Sequence, residues 1–328
     1  MIDFWTGALA LTIFLYVVLD GFDLGVGMLL ALAPEAKVRR GMLAAIAPVW
    51  DGNETWLVLS ASILFGIFPL AYATLLSAFY LPLIFMLQGL ILRGVSFEFR
   101  EKSLNHTRFW DGCIILGSTV ASFVQGMTVG ALVEGLPIVD GRYIGGAFGW
   151  YSPFALLCGL GLCLGYVLLG AGWLTCKTEK DAQDLAFRLL PRLLLCVLGF
   201  LLIVFIVALS LNLSVMNRWL ERPILMIFPI MGTVACLGMF AAVRKRIERI
   251  PFICGLIIFA AAFGALGVSF YPYIIPFSVT LIDAASPRSS QAFLFWGAGL
   301  VVLPITLLYT LVVYFTFKGK VVDDESSY

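Results

Sequence analysis

The chain has little charge. Its 328 residues include 21 Lys and Arg and 20 Asp and Glu, together 12% of the sequence, and one histidine. A soluble domain carries about twice that charged fraction. With 61% hydrophobic residues and a mean hydropathy of +1.02, the apolar surface exceeds what a soluble core buries, whereas a bilayer accommodates it. The formal net charge of +1 gives no reason to expect a nucleic-acid partner. His106 lies between apolar runs, so two axial histidines for a haem inside the spans are excluded in this chain. The seven cysteines (Cys113, Cys158, Cys163, Cys176, Cys196, Cys236 and Cys254) form no C-x-x-C pair. They read as small packing residues, with no disulfide and no zinc site expected. The first apolar stretch, residues 4–33, lacks a basic region before it and is too long for a signal peptide, so it is expected to remain.

Apolar runs of roughly 20 residues fall at 5–33, 48–72, 74–94, 112–132, 152–175, 192–212, 223–243, 251–271 and 291–317. The sequence therefore predicts an all-α membrane protein of about nine transmembrane helices, one integral membrane domain over 1–328. A short polar tail is expected at 319–328. The boundary between the second and third runs is the least defined. Basic residues divide unevenly between the loops: four on the N-terminal side (Arg142, Arg218, Arg222, Arg288) and seventeen on the other. By the positive-inside rule the N-terminus is expected outside and the C-terminus in the cytoplasm, which requires an odd number of spans. Trp5, Trp150, Trp219 and Trp296 fall near the outer boundary and Trp50, Trp110 and Trp173 near the inner one, as interface anchors do.

Four motifs carry polar chemistry. Residues 20–27 read DGFDLGVG; Asp20 and Asp23, three apart, share a helical face. Two carboxylates within the membrane cost about 5–7 kcal/mol together unless something offsets it. Gly21 and Gly25 form a G-x-x-x-G on a neighbouring face that admits a second helix closely, with Gly27 just beyond. Residues 48–56 read PVWDGNETW, placing Asp51, Glu54 and Thr55 on one face next to Trp50. Carboxylates in a first turn also complement a helix dipole, so a structural role stays open there. Residues 93–100 read RGVSFEFR; alone, Arg93, Glu98 and Arg100 look like a basic stop with a local Glu98–Arg pair. Residues 271–286, YPYIIPFSVTLIDAAS, are broken by proline, and Asp283 with its neighbouring hydroxyls reads as a structural cap.

Together with residues 304–310 (PITLLYT), these segments resemble subunit II of the cytochrome bd-type quinol oxidases, in order and from first span to last. The chain is short with trimmed outer loops, as in the cyanide-insensitive branch. The resemblance implies two four-helix bundles plus one extra helix. It also implies a heterodimer with subunit I, with a small single-helix subunit, membrane lipid and quinone as further partners. Haem b and haem d (or haem b only) would sit in the partner, and ubiquinol or menaquinol would be the substrate of the complex. Oxygen would be reduced to water with protons drawn from the cytoplasm, at a prokaryotic plasma membrane. In this chain no catalytic residue and no metal is implied; Asp20, Asp23, Asp51 and, less securely, Glu54 match the family's proton-route carboxylates. A proton-coupled secondary transporter would also need intramembrane acids and Gly-rich helices, although the repeat such proteins usually show is not visible here.

Overall fold

A chain that crosses a bilayer must satisfy its backbone hydrogen bonds within each segment, which leaves helices as the solution for apolar runs of this length. The computed structural model describes residues 1–103, 105–211, 213, 219 and 221–321. Arg218 and the tail residues 322–328 lie outside the described residues. The helices are α1 (Ile2–Leu29, continued by a 3-10 turn, Leu30–Leu32), α2 (Ala36–Ala44), α3 (Trp50–Ile67), α4 (Pro69–Lys102), α5 (Thr107–Glu134), α6 (Pro153–Lys177), α7 (Lys180–Ser210), α8 (Ile227–Arg244), α9 (Ile250–Phe270), α10 (Leu281–Ala284), α11 (Arg288–Leu294) and α12 (Leu303–Thr316). A π-helical stretch, Phe295–Val302, joins α11 to α12. Among the described residues, eight helical segments are long and apolar enough to cross a membrane. The ninth expected span, α3, has 18 residues; its polar first turns lower its hydropathy, not its reach of about 27 Å.

α1 is central, packing on α3, α5, α6 and α9, while α4, α5, α6 and α7 follow one another as antiparallel neighbours and α8 pairs with α9. The G-x-x-x-G expectation is met on α6: a Cβ at Gly25 would overlap the carbonyl oxygen of Tyr166, and Gly170 faces the backbone of Gly25 and Val26. Next to this seam Phe22 stacks on Trp173 with ring centroids 4.3 Å apart. Elsewhere apolar side chains face outward; Phe293 is 80% and Phe315 71% exposed, the inversion a lipid environment requires.

Several boundaries differ from the sequence reading. The second and third spans part at Phe68–Pro69, not near residue 73, because Pro69 occupies the first turn of α4, where a missing N–H costs nothing. α4 then runs 34 residues, with Phe79 at φ −113° and ψ 19° beside Pro82, where proline removes a helical bond and crowds the preceding turn. α2, expected as loop, is a short helix. Trp5, Trp150 and Trp173 are buried rather than lying at the lipid boundary. Each indole N–H meets a carbonyl, Trp5 to Gln291 at 3.3 Å, Trp150 to Ala147 at 2.7 Å and Trp173 to Ala45 at 3.0 Å.

The segment 271–286 forms a bulged hairpin, β3 (Tyr273–Ile275) with β4 (Val279–Thr280), followed by α10. The first hairpin, β1 (Ile138–Val139) with β2 (Arg142–Tyr143), joins α5 to α6. Thr280 caps α10: its hydroxyl donates to Asp283 Oδ2 at 2.6 Å and accepts from the Asp283 amide at 3.2 Å. Thr280 is thus the N-cap of α10, and Asp283 in its first turn accepts the Thr280 hydroxyl.

Candidate functional site

Three spans converge on one charged group. Asp20 lies on α1, Glu54 on α3 and Arg93 on α4. The Arg93 guanidinium donates to Asp20 Oδ1 at 2.7 Å and to Glu54 Oε1 at 2.6 Å. The side chains of Arg93 and Asp20 are 1% and 0% exposed, that of Glu54 28%. Glu54 is therefore the member nearest an opening. Trp50, one turn before Glu54, lies under the guanidinium at 5.8 Å and stacks on Phe97. The cation offsets part of the desolvation cost of the acids, and Trp50 covers one side of the guanidinium.

Asp23, one turn from Asp20, is held differently. Asn53 Nδ2 donates to Asp23 Oδ2 at 2.7 Å and to the Leu19 carbonyl at 3.4 Å, while Tyr314 of α12 donates to Asn53 Oδ1 at 3.0 Å. Five polar atoms in this neighbourhood are buried without a protein partner: Asp20 Oδ2, Asp23 Oδ1, Trp56 Nε1 and Arg93 Nε and Nη1. Buried polar groups are rarely left so. Asp51 stands in the first turn of α3, exposed, one turn before Glu54. Gly21, Gly25 and Gly27 bring α1 against Tyr166, the α6 backbone and Ser118.

Farther along α1 toward its N-terminus a second buried group continues the polar face. Tyr166 OH donates to Gln125 Oε1 at 2.9 Å, and Gln125 Nε2 donates to Tyr16 OH at 2.7 Å. On the other side of the acids, at the rim where α2, α4 and α5 meet, Asp111 accepts from Arg39 Nε at 2.8 Å and from Arg100 Nε. Arg39 also holds the Ala33 and Pro34 carbonyls.

The sequence reading of Arg93 is corrected here. The local Glu98–Arg pair does not form: Glu98 lies 3.9 Å from Lys102 on the surface, Arg100 reaches Asp111, and Arg93 reaches across three spans. Arg93 sits inside α4, nine residues before its end at Lys102, so it does not belong among the loop basics. Removing it leaves sixteen against four, and the asymmetry stands. Asn53, Tyr16, Gln125, Tyr166 and Tyr314 were not distinguished by sequence. Asn53 alone had a usable signal, lying between Asp51 and Glu54.

A bundle of apolar spans with a charged cluster sealed between them defines an integral membrane protein built around intramembrane acids. Comparison with known proteins sharpens this: the chain belongs to the cytochrome bd terminal oxidase subunit II family, whose model matches residues 1–317. A probable cytochrome oxidase subunit 2 of Haemophilus influenzae is 32% identical, with 92% of this chain and 86% of that one covered. The cytochrome bd-I ubiquinol oxidase subunit 2 of Escherichia coli (strain K12) is 30% identical over 94% of this chain and 92% of its own. The fold is shared with the bd oxidase from Geobacillus thermodenitrificans at a TM-score of 0.77 and 20% identity, covering 94% of this chain and 96% of that one. The chain is thus a subunit of a membrane-bound oxidoreductase complex, and the transporter reading is not favoured.

Proposed function

We propose that this chain is the haem-free subunit of a bd-type quinol oxidase and that its buried acids carry protons from the cytoplasmic side toward the oxygen-reducing centre of a haem-bearing subunit I. The single observation that carries the reading is the Asp20–Arg93–Glu54 junction: three spans spend their intramembrane charge on one place, next to partnerless buried polar atoms. Asp51 is the entry, exposed one turn from Glu54. Glu54 receives the proton, and Asp20 and Asp23 continue the path, with Arg93 holding Asp20 and Glu54 in reach of each other. A carboxylate accepts a proton on one oxygen and releases it from the other, which suits a relay.

The haem-free assignment rests on the donor set. His106 is exposed, outside the spans, and the α1–α6 seam is closed by contact at Gly25 and Gly170, so the residues there do not fit a haem. In the complex, haem in the partner would supply the redox chemistry of oxygen reduction. Quinol, the substrate named for the Escherichia coli relative, would be the electron donor. The sixteen-to-four division of basic residues supports an external N-terminus and a cytoplasmic C-terminus in a bacterial inner membrane.

The test is purification through a tag on this chain from its native membrane. The complex is expected to consume oxygen with quinol and to show haem bands in a reduced-minus-oxidised spectrum, while the chain expressed alone shows neither. Stoichiometric redox haem in the isolated chain, lost in His106→Ala, would overturn the haem-free assignment. A colourless, partnerless native protein would overturn the oxidase reading.

A further inference from the structure

The polar face of α1 does not end at Asp20. Tyr16 lies one turn farther along the same helix, and positions four apart stack on one face. Tyr16, Gln125 and Tyr166 are all buried, and their hydrogen bonds share one direction: Tyr166 donates to Gln125, and Gln125 donates to Tyr16. Each hydroxyl has one hydrogen to give. The Tyr166 hydrogen is committed to Gln125, and the Tyr16 oxygen accepts from the amide, so the Tyr16 hydrogen remains free to donate. One turn away, Asp20 Oδ2 is buried with no protein partner while Oδ1 is held by Arg93. A buried donor left unmade is costly, and so is a buried carboxylate oxygen.

We infer that Tyr16 is a positioning residue for Asp20: its hydroxyl donates to Asp20 Oδ2 through one bridging water, and Gln125 and Tyr166 orient it from behind. The inference rests on the relay reading of Asp20. It gives the triad a function, since three spans, α1, α5 and α6, otherwise bury these polar groups with no stated use. Chains of hydrogen bonds polarise one another, so the two distal members strengthen the donor that Asp20 meets. The charged and titratable groups around Asp20 are Arg93 from α4, Glu54 from α3, Asp23 and Tyr16 from α1 itself, Tyr166 from α6 and Tyr314 from α12. Of these, Arg93 donates to Asp20 Oδ1, and Tyr16 shares the α1 face of Asp20 one turn away.

The experiment uses the assembled complex in membranes, measuring oxygen consumption with quinol across pH for wild type, Tyr16→Phe, Tyr166→Phe and Asp20→Asn. A carboxylate that loses a donor holds its proton more tightly. Tyr16→Phe is therefore expected to move the alkaline limb of the profile to higher pH. Tyr166→Phe keeps the ring that stacks on Phe259 and is expected to move it the same way by less. A uniform fall in rate with an unmoved profile, or an unchanged profile in Tyr16→Phe, overturns the inference. Asp20→Asn separates this from the underlying reading. A normal rate and profile in Asp20→Asn removes Asp20 from the route, whereas a slowed Asp20→Asn beside an unmoved Tyr16→Phe sinks only the role of Tyr16. If Asp20→Asn fails to assemble, Glu54→Gln serves as that control.

Discussion

Asp20 on α1 and Arg93 on α4 meet at 2.7 Å, 73 residues apart in sequence, and neither side chain reaches solvent. Removing one partner of such a pair leaves an uncompensated buried charge, a cost of about 3–5 kcal/mol. Arg93→Met orphans both Asp20 and Glu54 and is expected to abolish accumulation of the complex. Asp20→Asn leaves Glu54 on the guanidinium and is expected to accumulate at reduced yield. Haem content of membranes per tagged chain distinguishes the two; equal, wild-type yields would contradict the pairing.

The α1–α6 seam makes a steric prediction. Gly25→Ala places a methyl group onto the Tyr166 carbonyl, where only backbone can give way, and overpacking of this kind costs roughly 1–3 kcal/mol or more. Gly7→Ala, on the same helix, meets nothing within 4 Å and is expected to be neutral or slightly stabilising through helix propensity. Thermal midpoints of the detergent-solubilised complex compare them directly, and similar midpoints would refute the close approach.

How much of this was legible in the sequence follows from what each feature depends on. The spans were readable because a bilayer imposes length and apolarity locally, and Gly21 and Gly25 announced a close helix contact without naming α6 as the partner. α3 was found as an apolar run although its first turns are polar, and the basic-residue pattern, which requires an odd number of spans, agreed with it. Arg93 was misjudged because a basic residue near a helix end looks like a stop signal; only packing shows that it turns inward to α1 and α3. The Tyr16–Gln125–Tyr166 triad joins positions 109 and 41 residues apart, and no local pattern marks such a meeting. Trp5, Trp150 and Trp173 are buried because position near a span end says nothing about whether a side chain points to lipid or to a neighbouring helix.

At one membrane edge Glu248, between α8 and α9, accepts from Lys320 Nζ at 2.6 Å and from Gln183 Nε2 at 3.1 Å. Those hydrogen bonds, first Lys320 and then Gln183, hold its carboxyl below the usual glutamate range. A lowered folded-state value contributes stability above the unfolded pKa of about 4.3, and this is lost as pH falls through the folded value. Both groups are partly exposed, so the contribution is at most about 1 kcal/mol. Lys320→Ala is expected to lower the thermal midpoint slightly at pH 7 and to match wild type near pH 3. A larger effect at the acid end would reverse the sign.

Orientation is open to a direct check. Reporter fusions at Lys320 are expected to behave as cytoplasmic, and fusions near Arg142 or Arg288 as external. A cytoplasmic signal at either outer site would mean that one helix does not cross.

The most direct test of the account is proton uptake during oxygen reduction by the assembled complex carrying Glu54→Gln. The substitution keeps shape and a hydrogen-bond acceptor for Arg93 while removing the titratable proton from the one member of the junction with a path to solvent. Proton uptake and oxygen consumption are expected to slow together by roughly tenfold or more, with the haem spectrum of the complex unchanged. Wild-type proton uptake with a normal spectrum would contradict the claim that this buried junction carries protons.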